Sequence, residues 1–353
     1  MKTGRFELEL ITRCFLGGAN PRTDAELRAP SIRAQLRWWF RTLGGFCALA
    51  PRTVRQQENE IFGVAAGESG TAGKLRLQIQ RTAPVRTEVI GPVQVDGLPD
   101  EKYILWPFGQ QQHGQDNPRA CLLSGTTFQL RVHWCGDPEL WPSILGLVAV
   151  LGHLGSLGTR SRRAMGALGF VGNAPDLAEA MKRFCKPSAV LVRQISPAGY
   201  TSNDASVAAL AAWLREWRAY GRTGQNTTEQ GFRGFSWAKQ DHDVGAGLAP
   251  ANQPVFRAAL GLPIGQRFKG NRSVNWEFGN GTKKGRFASP VILRPYRITS
   301  NQWKALVLFV DAHRWPVVPT NNKPRTAYLN GLPRAVSLDL YDEMKRKTPT
   351  PFP

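Results

Sequence analysis

The sequence predicts an α+β protein made of two tandem ferredoxin-like domains, in which helices cover one face of each antiparallel sheet. The chain has 353 residues, enough for two domains that each bury a core of their own. Hydrophobic periodicity gives the first half the order strand, helix, strand, strand, helix, strand, and part of that order recurs in the second half. We therefore expect one domain at 1–172 and a second, with long polar inserts, at 173–353.

The first half supplies six elements, each recognised by its own pattern. Strands show alternation of apolar and polar residues, and the helices show an apolar stripe. In chain order these elements are a strand at 5–13, a helix at 31–43, strands at 74–80 and 126–134, a helix at 142–157 and a short strand at 167–171.

The second half is less regular. In chain order its predicted elements are a strand at 188–195, a helix at 203–220 and strands at 288–298 and 303–310. The segments 221–254 and 265–287 are rich in Gly, Asn, Gln and Arg, so we predict two long loops that are too polar for a core. The sequence has no fixed-period repeat, which excludes a solenoid.

The charge balance points to a nucleic acid partner. The chain has 46 Lys+Arg against 26 Asp+Glu, a formal net charge of +20, and 33 of the basic residues are arginine. Arginine suits planar, bidentate contacts to phosphate and stacking on bases. On charge alone, a surface that serves only solubility is the alternative.

Composition also predicts a soluble, cytoplasmic protein with reduced thiols. The longest apolar stretch, 144–157, contains three Gly and a His and is shorter than the roughly 20 residues of a membrane span. The first residues enter a strand-like pattern directly, without the apolar segment of a signal peptide. The five cysteines include no close pair, which argues against a disulfide framework.

The first predicted helix carries the first candidate RNA-binding site. Arg33, Arg37 and Arg41 recur every four residues along one edge of it. Three like charges at this spacing destabilise a helix unless an anion lies beside them, and an RNA backbone or acidic residues of a partner subunit would serve. The preceding loop at Gly17 and Gly18, like the helix N-terminus, offers backbone N–H groups to anions. A solvated helix face is the alternative.

The turn at 158–169 is the second candidate. Arg160, Arg162 and Arg163 stand among three glycines, directly after the apolar helix. Glycines let a backbone approach a ligand closely, and the arginines supply charge. A flexible turn with incidental arginines is the alternative.

The polar segment 265–287 is the third candidate. Basic residues alternate there with aromatic ones, as in grooves that bind single-stranded nucleic acid through charge and stacking. A basic loop that orders only on assembly fits the same pattern. The basic residues that we assign to RNA here are Arg267, Lys269, Arg272 and Arg286.

Signatures of common enzymes and of metal sites are absent from the sequence. It has no P-loop, no GxGxxG, no CxxC and no HExxH motif, so we expect neither a cofactor nor a metal. We expect Asp241, His242 and Asp243 to be surface residues of a Gly-rich loop, and His153 to be a buried, hydrogen-bonded histidine. Asp24 is a weak catalytic candidate, and its simpler role is to form a turn.

Three segments together resemble the RAMP superfamily of CRISPR proteins. They are the loop FLGGANPR with the helix APSIRAQLRWWFRTLGG within 15–45, GTRSRRAMGALGF within 158–171, and RFASPVILRPYRI at 286–298. Their order on the predicted frame makes the resemblance specific, although it is weak between 221 and 285. Within the superfamily the chain is most similar to the two-domain subunit counted first in the Cmr series of type III-B effector complexes. The resemblance implies ferredoxin-like (RRM-like) domains.

The resemblance further implies a subunit that is not an enzyme. It would bind guide RNA (crRNA) at the 3′ end, help to capture target RNA in antiviral defence, and contact other Cmr-complex subunits. The resembling segments add Arg22, Arg28 and Arg294 to the residues expected to contact RNA. In related subunits an aspartate in the loop after the first strand cleaves target RNA. Asp24 lies in that loop, but the loop here is shorter and lacks the surrounding pattern, so we expect no cleavage.

Two other functions stay open at this point. A metal-independent guide-RNA-processing endoribonuclease of the same superfamily would use a catalytic histidine and a Gly-rich loop near the C-terminus, whereas the Gly-Arg turn here lies mid-chain. A general RRM-like binder of cellular RNA would need an RNP1 run on a central strand, and no predicted strand has one.

Overall fold

The computed structural model describes most of the chain. Its described residues are 1–65, 70–105, 108, 111–112, 115–219, 233–250, 252–268, 273–278, 286–311, 326–329, 332–348 and 350–352.

The first half alternates strands with helices of four to fourteen residues. The helices are α1 (Ala29–Thr42), α2 (Val54–Phe62), α3 (Pro92–Asp96), α4 (Lys102–Leu105) and α5 (Trp141–Leu154). The strands are β1 (Lys2–Leu10), β2 (Gly63–Val64), β3 (Thr71–Ala72), β4 (Leu75–Arg81), β5 (Thr87–Ile90), β6 (Gln111–Gln112), β7 (Gln115–Asp116), β8 (Arg119–Leu122), β9 (Thr126–Trp134) and β10 (Leu168–Phe170).

The second half contains helices of five to sixteen residues and two further sheets. The helices are α6 (Leu177–Met181), α7 (Asn203–Arg218), α8 (Phe235–Ala246) and α9 (Asp339–Lys347). The strands are β11 (Val190–Gln194), β12 (Ile264–Arg267), β13 (Ser273–Glu277), β14 (Val291–Thr299), β15 (Gln302–Val310), β16 (Thr326–Leu329), β17 (Leu332–Ala335) and β18 (Thr350–Pro351).

The first sheet has the strand order β10-β1-β9-β4, and every pair is antiparallel. Helix α1 lies between β1 and β4 in the chain, and α5 lies between β9 and β10. Numbered 1 to 4 along the chain, these four strands lie in the sheet in the order 4-1-3-2, as in a ferredoxin-like sheet. Together with α1 and α5, they confirm the predicted order of strand, helix, strand, strand, helix, strand along the chain. Burial alternates along β9, as its apolar and polar alternation requires.

The second sheet repeats this arrangement. Its strand order is β14-β15-β11-β18, again antiparallel throughout. Helix α7 follows β11, and α9 precedes β18, which has only two residues. The sheet therefore has the same order of strands as the first. A third sheet, β12-β13-β16-β17, is formed by two insertions in the chain, one between α7 and β14 and the other between β15 and α9.

The prediction that 221–254 and 265–287 are loops is wrong for the residues described there. Helix α8 lies in the first segment, and β12 and β13 lie in the second. Each segment is polar on average but has a narrow apolar face. Val244 in the first segment, and Val274 and Trp276 in the second, are buried in the core. Trp276 is thus a core residue and does not form an exposed stacking surface.

The core extends across the predicted boundary at 172 and 173. Ile144 of α5 and Leu306 of β15 belong to one cluster of buried side chains. Phe15, in the loop after β1, and Trp213 of α7 belong to the other. Each half therefore completes the core of its neighbour. Among the described helices, none has the length and hydropathy that crossing a membrane requires.

Candidate nucleic-acid interface

Helix α1 places the arginine stripe beside the first sheet. Ile32, Leu36 and Phe40 are buried on its inner face, as the apolar periodicity predicts. The helix opens with a proline in its first turn, where the missing N–H is not needed. The stripe formed by Arg33, Arg37 and Arg41 lies on the edge that faces α2.

Two arginines of the stripe share one carboxylate of the chain itself. Glu58 of α2 accepts from Arg37 Nε at 2.6 Å and from Arg41 Nη1 at 2.7 Å, and Glu58 is only 6% exposed. Arg41 keeps 49% of its side chain exposed, so it can reach a second anion. Arg33 instead donates to the carbonyl oxygens of Phe62 and Leu75, both at 3.1 Å. Part of the stripe therefore stabilises the fold.

The glycine-rich turn lies between the loop after β1 and strand β14. The N–H of Thr159 donates to the Phe15 carbonyl at 2.9 Å, and the N–H of Ala164 donates to the Leu293 carbonyl at 3.1 Å. Gly166 has φ +66°, and a Cβ there would lie 2.0 Å from the carbonyl oxygen of Leu157. Only glycine fits this approach, and the turn is held by backbone hydrogen bonds to the loop after β1 and to β14.

The three arginines of the turn differ in their surroundings. Arg163 is 8% exposed and donates to the carbonyl oxygens of Val291 and Leu260 at 3.2 and 3.4 Å. Arg162 donates to the carbonyl of Ser289 and lies with its guanidinium 4.8 Å from the ring centre of Trp38. The guanidinium of Arg160 lies 6.0 Å from the ring centre of Phe108.

Two cavities lie on either side of this turn and share Ser161 and Arg162. The first, of about 220 Å³, separates α1 from the turn, and we call it the helix cleft; its polar and aromatic lining includes Gln35, Trp38, Arg41, Ser161 and Arg162. The second, of about 300 Å³, separates the turn from the second half, and we call it the junction pocket; it is lined by Arg160, Ser161, Arg162, Arg163, Arg218, Leu260, Gly261, Leu262, Pro263, Phe287 and Ser289. Together they form the arginine groove.

The groove is strongly cationic. No acidic side chain lines either cavity among the residues that the structure describes. Burial lowers the pKa of Arg160 and of Arg162 to about 10 each, which still leaves both charged at neutral pH. The pKa of Arg163 is lowered mainly by burial and, to a smaller extent, by repulsion from Arg218 and Arg160. An anion would relieve this repulsion.

The loop before α1 satisfies its own hydrogen bonds. The N–H of Gly18 donates to the Asp24 carbonyl at 2.9 Å, so this glycine does not offer it to a ligand. Gly17 approaches Pro21 so closely that a Cβ would lie 2.7 Å away, which explains the need for glycine. Arg28 is exposed and donates to the Gly17 carbonyl at 3.1 Å, and Arg22 is also exposed.

Asp24 has the role of a turn residue. Its carboxylate accepts from the N–H of Asn20 and from the hydroxyl of Thr23, both at 3.2 Å. Within the described ranges, no group of three or more His, Cys, Asp and Glu side chains is arranged to hold a metal.

The prediction of a surface loop at Asp241, His242 and Asp243 is wrong, because all three lie on helix α8, and Asp241 is not at the surface. It belongs to helix α8, is 3% exposed, and accepts from the N–H groups of Phe256 and Arg257, both at 2.8 Å. Arg257 Nε donates to it as well, at 3.0 Å. Burial raises the pKa of Asp241, and these partners oppose that shift. Its role is to hold the segment after α8 against the core.

Arg294 is also buried, so it is not part of the accessible groove. It is 0% exposed, and its guanidinium donates to backbone carbonyls at the end of α5. Arg286 is exposed, next to Phe287 of the junction pocket. Lys269, Arg272 and the side chain of Arg267 lie outside the described residues.

Sequence reasoning missed Arg218 and Trp38. Arg218 is the last residue of α7, where a basic residue is ordinary because it complements the helix dipole. Trp38 stands next to Trp39 and Phe40 on an amphipathic helix, so the sequence alone does not single it out. Only the packing of the second half against the turn brings Arg218 next to Arg160 and Arg163.

Comparison with known proteins identifies similar chains. The sequence profile of the RAMP superfamily matches residues 7–169. The CRISPR system Cmr subunit Cmr1-2 of Pyrococcus furiosus is 37% identical over 104 residues, which cover 29% of this chain and 51% of that protein. Subunit Cmr1-1 of the same organism is 39% identical over 59 residues, 16% of this chain and 18% of that protein. The chain thus aligns with about half the length of one relative and less than a fifth of the other.

One solved structure has a similar fold along most of the chain. The crystal structure of Cmr1 from Pyrococcus furiosus in its apo form has a TM-score of 0.53 and 16% identity, over 88% of both chains. At this identity the likeness concerns the fold alone.

Proposed function

We propose that this chain, whose residues 7–169 match the profile of the RAMP superfamily, is a non-catalytic RNA-binding subunit of a type III-B CRISPR (Cmr) interference complex. It binds the guide RNA near its 3′ end and helps to capture target RNA in antiviral defence. Its partners are the guide and target RNAs and the other subunits of the complex. Base pairing between the RNAs supplies sequence specificity, and the protein recognises backbone and shape.

The arginine groove is the observation that carries this proposal. Arg41, Arg160 and Arg162 line it, no described acidic residue does, and the ring of Trp38 lines it beside the guanidinium of Arg162. Accessible guanidinium groups bind phosphate, and Arg41 is accessible although it pairs with Glu58, because half of its side chain is exposed. An aromatic ring beside such groups can stack on a base. The net charge of +20 favours RNA association over the whole surface.

The surroundings of the acid–base candidates support a non-catalytic role. His153 is held between the Tyr296 hydroxyl and the Pro175 carbonyl, each at 2.8 Å, so both ring nitrogens are already engaged. Burial lowers its pKa, which makes it a weaker base at neutral pH. The Asp24 carboxylate is engaged in its own turn.

The test uses the purified full chain and an end-labelled RNA that contains a CRISPR repeat and spacer. Fluorescence anisotropy measures affinity at several salt concentrations, and a denaturing gel reports whether the RNA stays intact with and without EDTA. We expect salt-sensitive binding, with log affinity falling linearly against log salt, and intact RNA under both conditions.

Two results would contradict the proposal. Binding that does not weaken with salt would argue against phosphate contacts. Discrete cleavage that is lost in His153→Gln would instead indicate a guide-processing ribonuclease, and cleavage lost in Asp24→Asn would indicate a target nuclease.

A further inference from the structure

The junction pocket combines four arginines from two distant parts of the chain. Arg160, Arg162 and Arg163 come from the glycine-rich turn, and Arg218 comes from the C-terminal end of α7. Among the described residues, the rest of its lining consists of two serines, glycine, proline and apolar side chains, with no carboxylate. A pocket with this lining is suited to an anion.

Two of the four guanidiniums are fixed by the second half. Arg163 donates to Leu260, Ser289 and Val291, and Arg162 donates to the Ser289 carbonyl. Their partners are all neutral, so these bonds set the direction of the guanidiniums without cancelling their charge. Such fixed donors require little reorganisation when an anion binds.

The other two guanidiniums, those of Arg160 and Arg218, make no polar contact within the described part of the chain, although that of Arg160 lies beside the Phe108 ring. Among the residues that the structure describes, neither Arg160 nor Arg218 has a carboxylate within ion-pair distance or a hydrogen bond from its guanidinium. The Nε of Arg218 is buried without an acceptor. A buried donor without an acceptor is costly, and a bound anion would supply that acceptor. Arg160 is also one of two non-glycine residues with positive φ among those described, at 66°. Backbone strain of this kind is common where a side chain is held for a ligand.

We propose that the junction pocket binds one phosphate group of the RNA, held by Arg160 and Arg218 and oriented by Arg162 and Arg163. This inference rests on the proposed RNA-binding function and assigns a specific subsite to it. The pocket volume of about 300 Å³ accommodates a phosphate with part of its ribose. Because the four arginines come from both halves, the bound phosphate would also tie the halves together.

The experiment compares the full-length wild type with Arg160→Gln, Arg218→Gln and the double variant. Glutamine keeps the length of the side chain and removes its charge. Arg81→Gln is the matched control, since Arg81 is exposed on the edge strand β4 and lines neither cavity. The probe is a 5′-fluorescein repeat–spacer RNA with either a 3′-hydroxyl or a 3′-phosphate. Circular dichroism and Tm verify that each variant is folded.

The expected result is a loss of affinity confined to the pocket variants. Each single variant should bind the RNA roughly tenfold more weakly at low salt, the loss of one charge-assisted contact. The double variant should reduce the slope of log affinity against log salt by about 0.7, the value for one phosphate of a single strand. Arg81→Gln should stay within about twofold of the wild type.

The two RNA ends distinguish the source of the phosphate. If the pocket holds a terminal phosphate, the wild type prefers the 3′-phosphate RNA and the double variant does not. If it holds an internal phosphodiester, the wild type binds both RNAs equally and the double variant weakens both. Either pattern supports the pocket.

A folded double variant that keeps wild-type affinity and salt slope would overturn the subsite while leaving RNA binding by the chain intact. Absence of salt-sensitive binding by the wild type would reject the proposed function itself. Should Arg218→Gln fail to fold, inorganic phosphate provides a second measurement on Arg160→Gln. Phosphate should raise the Tm of the wild type more than chloride of equal ionic strength, and Arg160→Gln should lose most of that difference.

Discussion

Arg294 caps the helix that contains His153: its Nε donates to the His153 carbonyl oxygen at 2.5 Å. The same guanidinium donates to the carbonyls of Gly152, Gly155 and Leu168. These include carbonyls at the end of α5 that have no partner within the helix, and the negative end of the helix dipole stabilises the buried charge. Arg294 belongs to the second sheet and α5 to the first half, so this contact fastens the halves together.

We expect Arg294→Gln to lower the free energy of unfolding by more than about 3 kcal/mol, because several buried carbonyls lose their donor. Urea unfolding followed by tryptophan fluorescence measures this. Arg297→Gln, on the same strand, removes a more exposed arginine that pairs with Glu9, and should have a smaller effect. Unchanged stability combined with lost RNA affinity would instead make Arg294 an RNA contact.

If the stripe binds RNA as proposed, the carboxylate of Glu58, which pairs with Arg37 and Arg41, competes with RNA for both arginines. Glu58→Gln should therefore raise RNA affinity about fivefold at low salt, equivalent to about 1 kcal/mol, while lowering the free energy of unfolding by about 1–2 kcal/mol. Anisotropy and urea unfolding measure the two effects. Glu60→Gln is the control, because Glu60 lies on the same helix and also pairs with two cations. If Glu60→Gln raises affinity equally, the effect comes from net charge alone.

The arginine stripe of α1 should separate into two functions. Arg33→Gln should lower the free energy of unfolding by about 1–3 kcal/mol, because two backbone carbonyls lose their donor, and should leave the RNA affinity of the folded protein unchanged. Arg41→Gln, in the helix cleft, should weaken RNA binding and flatten its salt dependence with little change in stability. The same salt-binding assay and urea titration test both. Equal effects of the two variants on affinity would show that the stripe acts as a unit.

His153 should make stability depend on pH. Burial lowers its pKa below the ordinary value near 6.5, so between these two values the unfolded chain binds more protons than the folded one. Stability from this group is present above about pH 6.5 and is lost as pH falls through that value towards the lowered pKa. The urea midpoint should fall from pH 7.5 to 5.5, and His153→Gln should reduce that fall. An identical pH profile in both proteins would assign the titration to other groups.

The order of elements could be predicted because it depends on local pattern. The strand predicted at 126–134 coincides with β9, and the two sheets have the predicted sequence of strands and helices. Alternation and apolar stripes are properties of neighbouring residues, so a single sequence contains them. Helix α8 was missed because its apolar face is narrow and its segment is polar on average.

Side-chain partners could not be predicted in the same way. Whether an arginine contacts RNA or the fold depends on residues far along the chain, as with Arg37 and Glu58, or Arg294 and α5. Composition shows an excess of arginine, but it does not show which arginines bind within the fold and which remain accessible to RNA. No sequence motif marks Arg218. Its place in the junction pocket follows only from the packing that brings it beside Arg160 and Arg163.

The position of β1 has a consequence for how the chain folds during synthesis. Leu8 pairs with Phe128 on one side and with Phe170 on the other, so the amino-terminal strand lies inside its sheet and not at its edge. At a translation rate of 5–20 residues per second, this strand waits on the order of ten seconds before its second neighbour has been made. Leu306 and Leu308 of β15 also belong to the core of the first half. The ribosome must therefore pass residue 308 before the core around β1 can close.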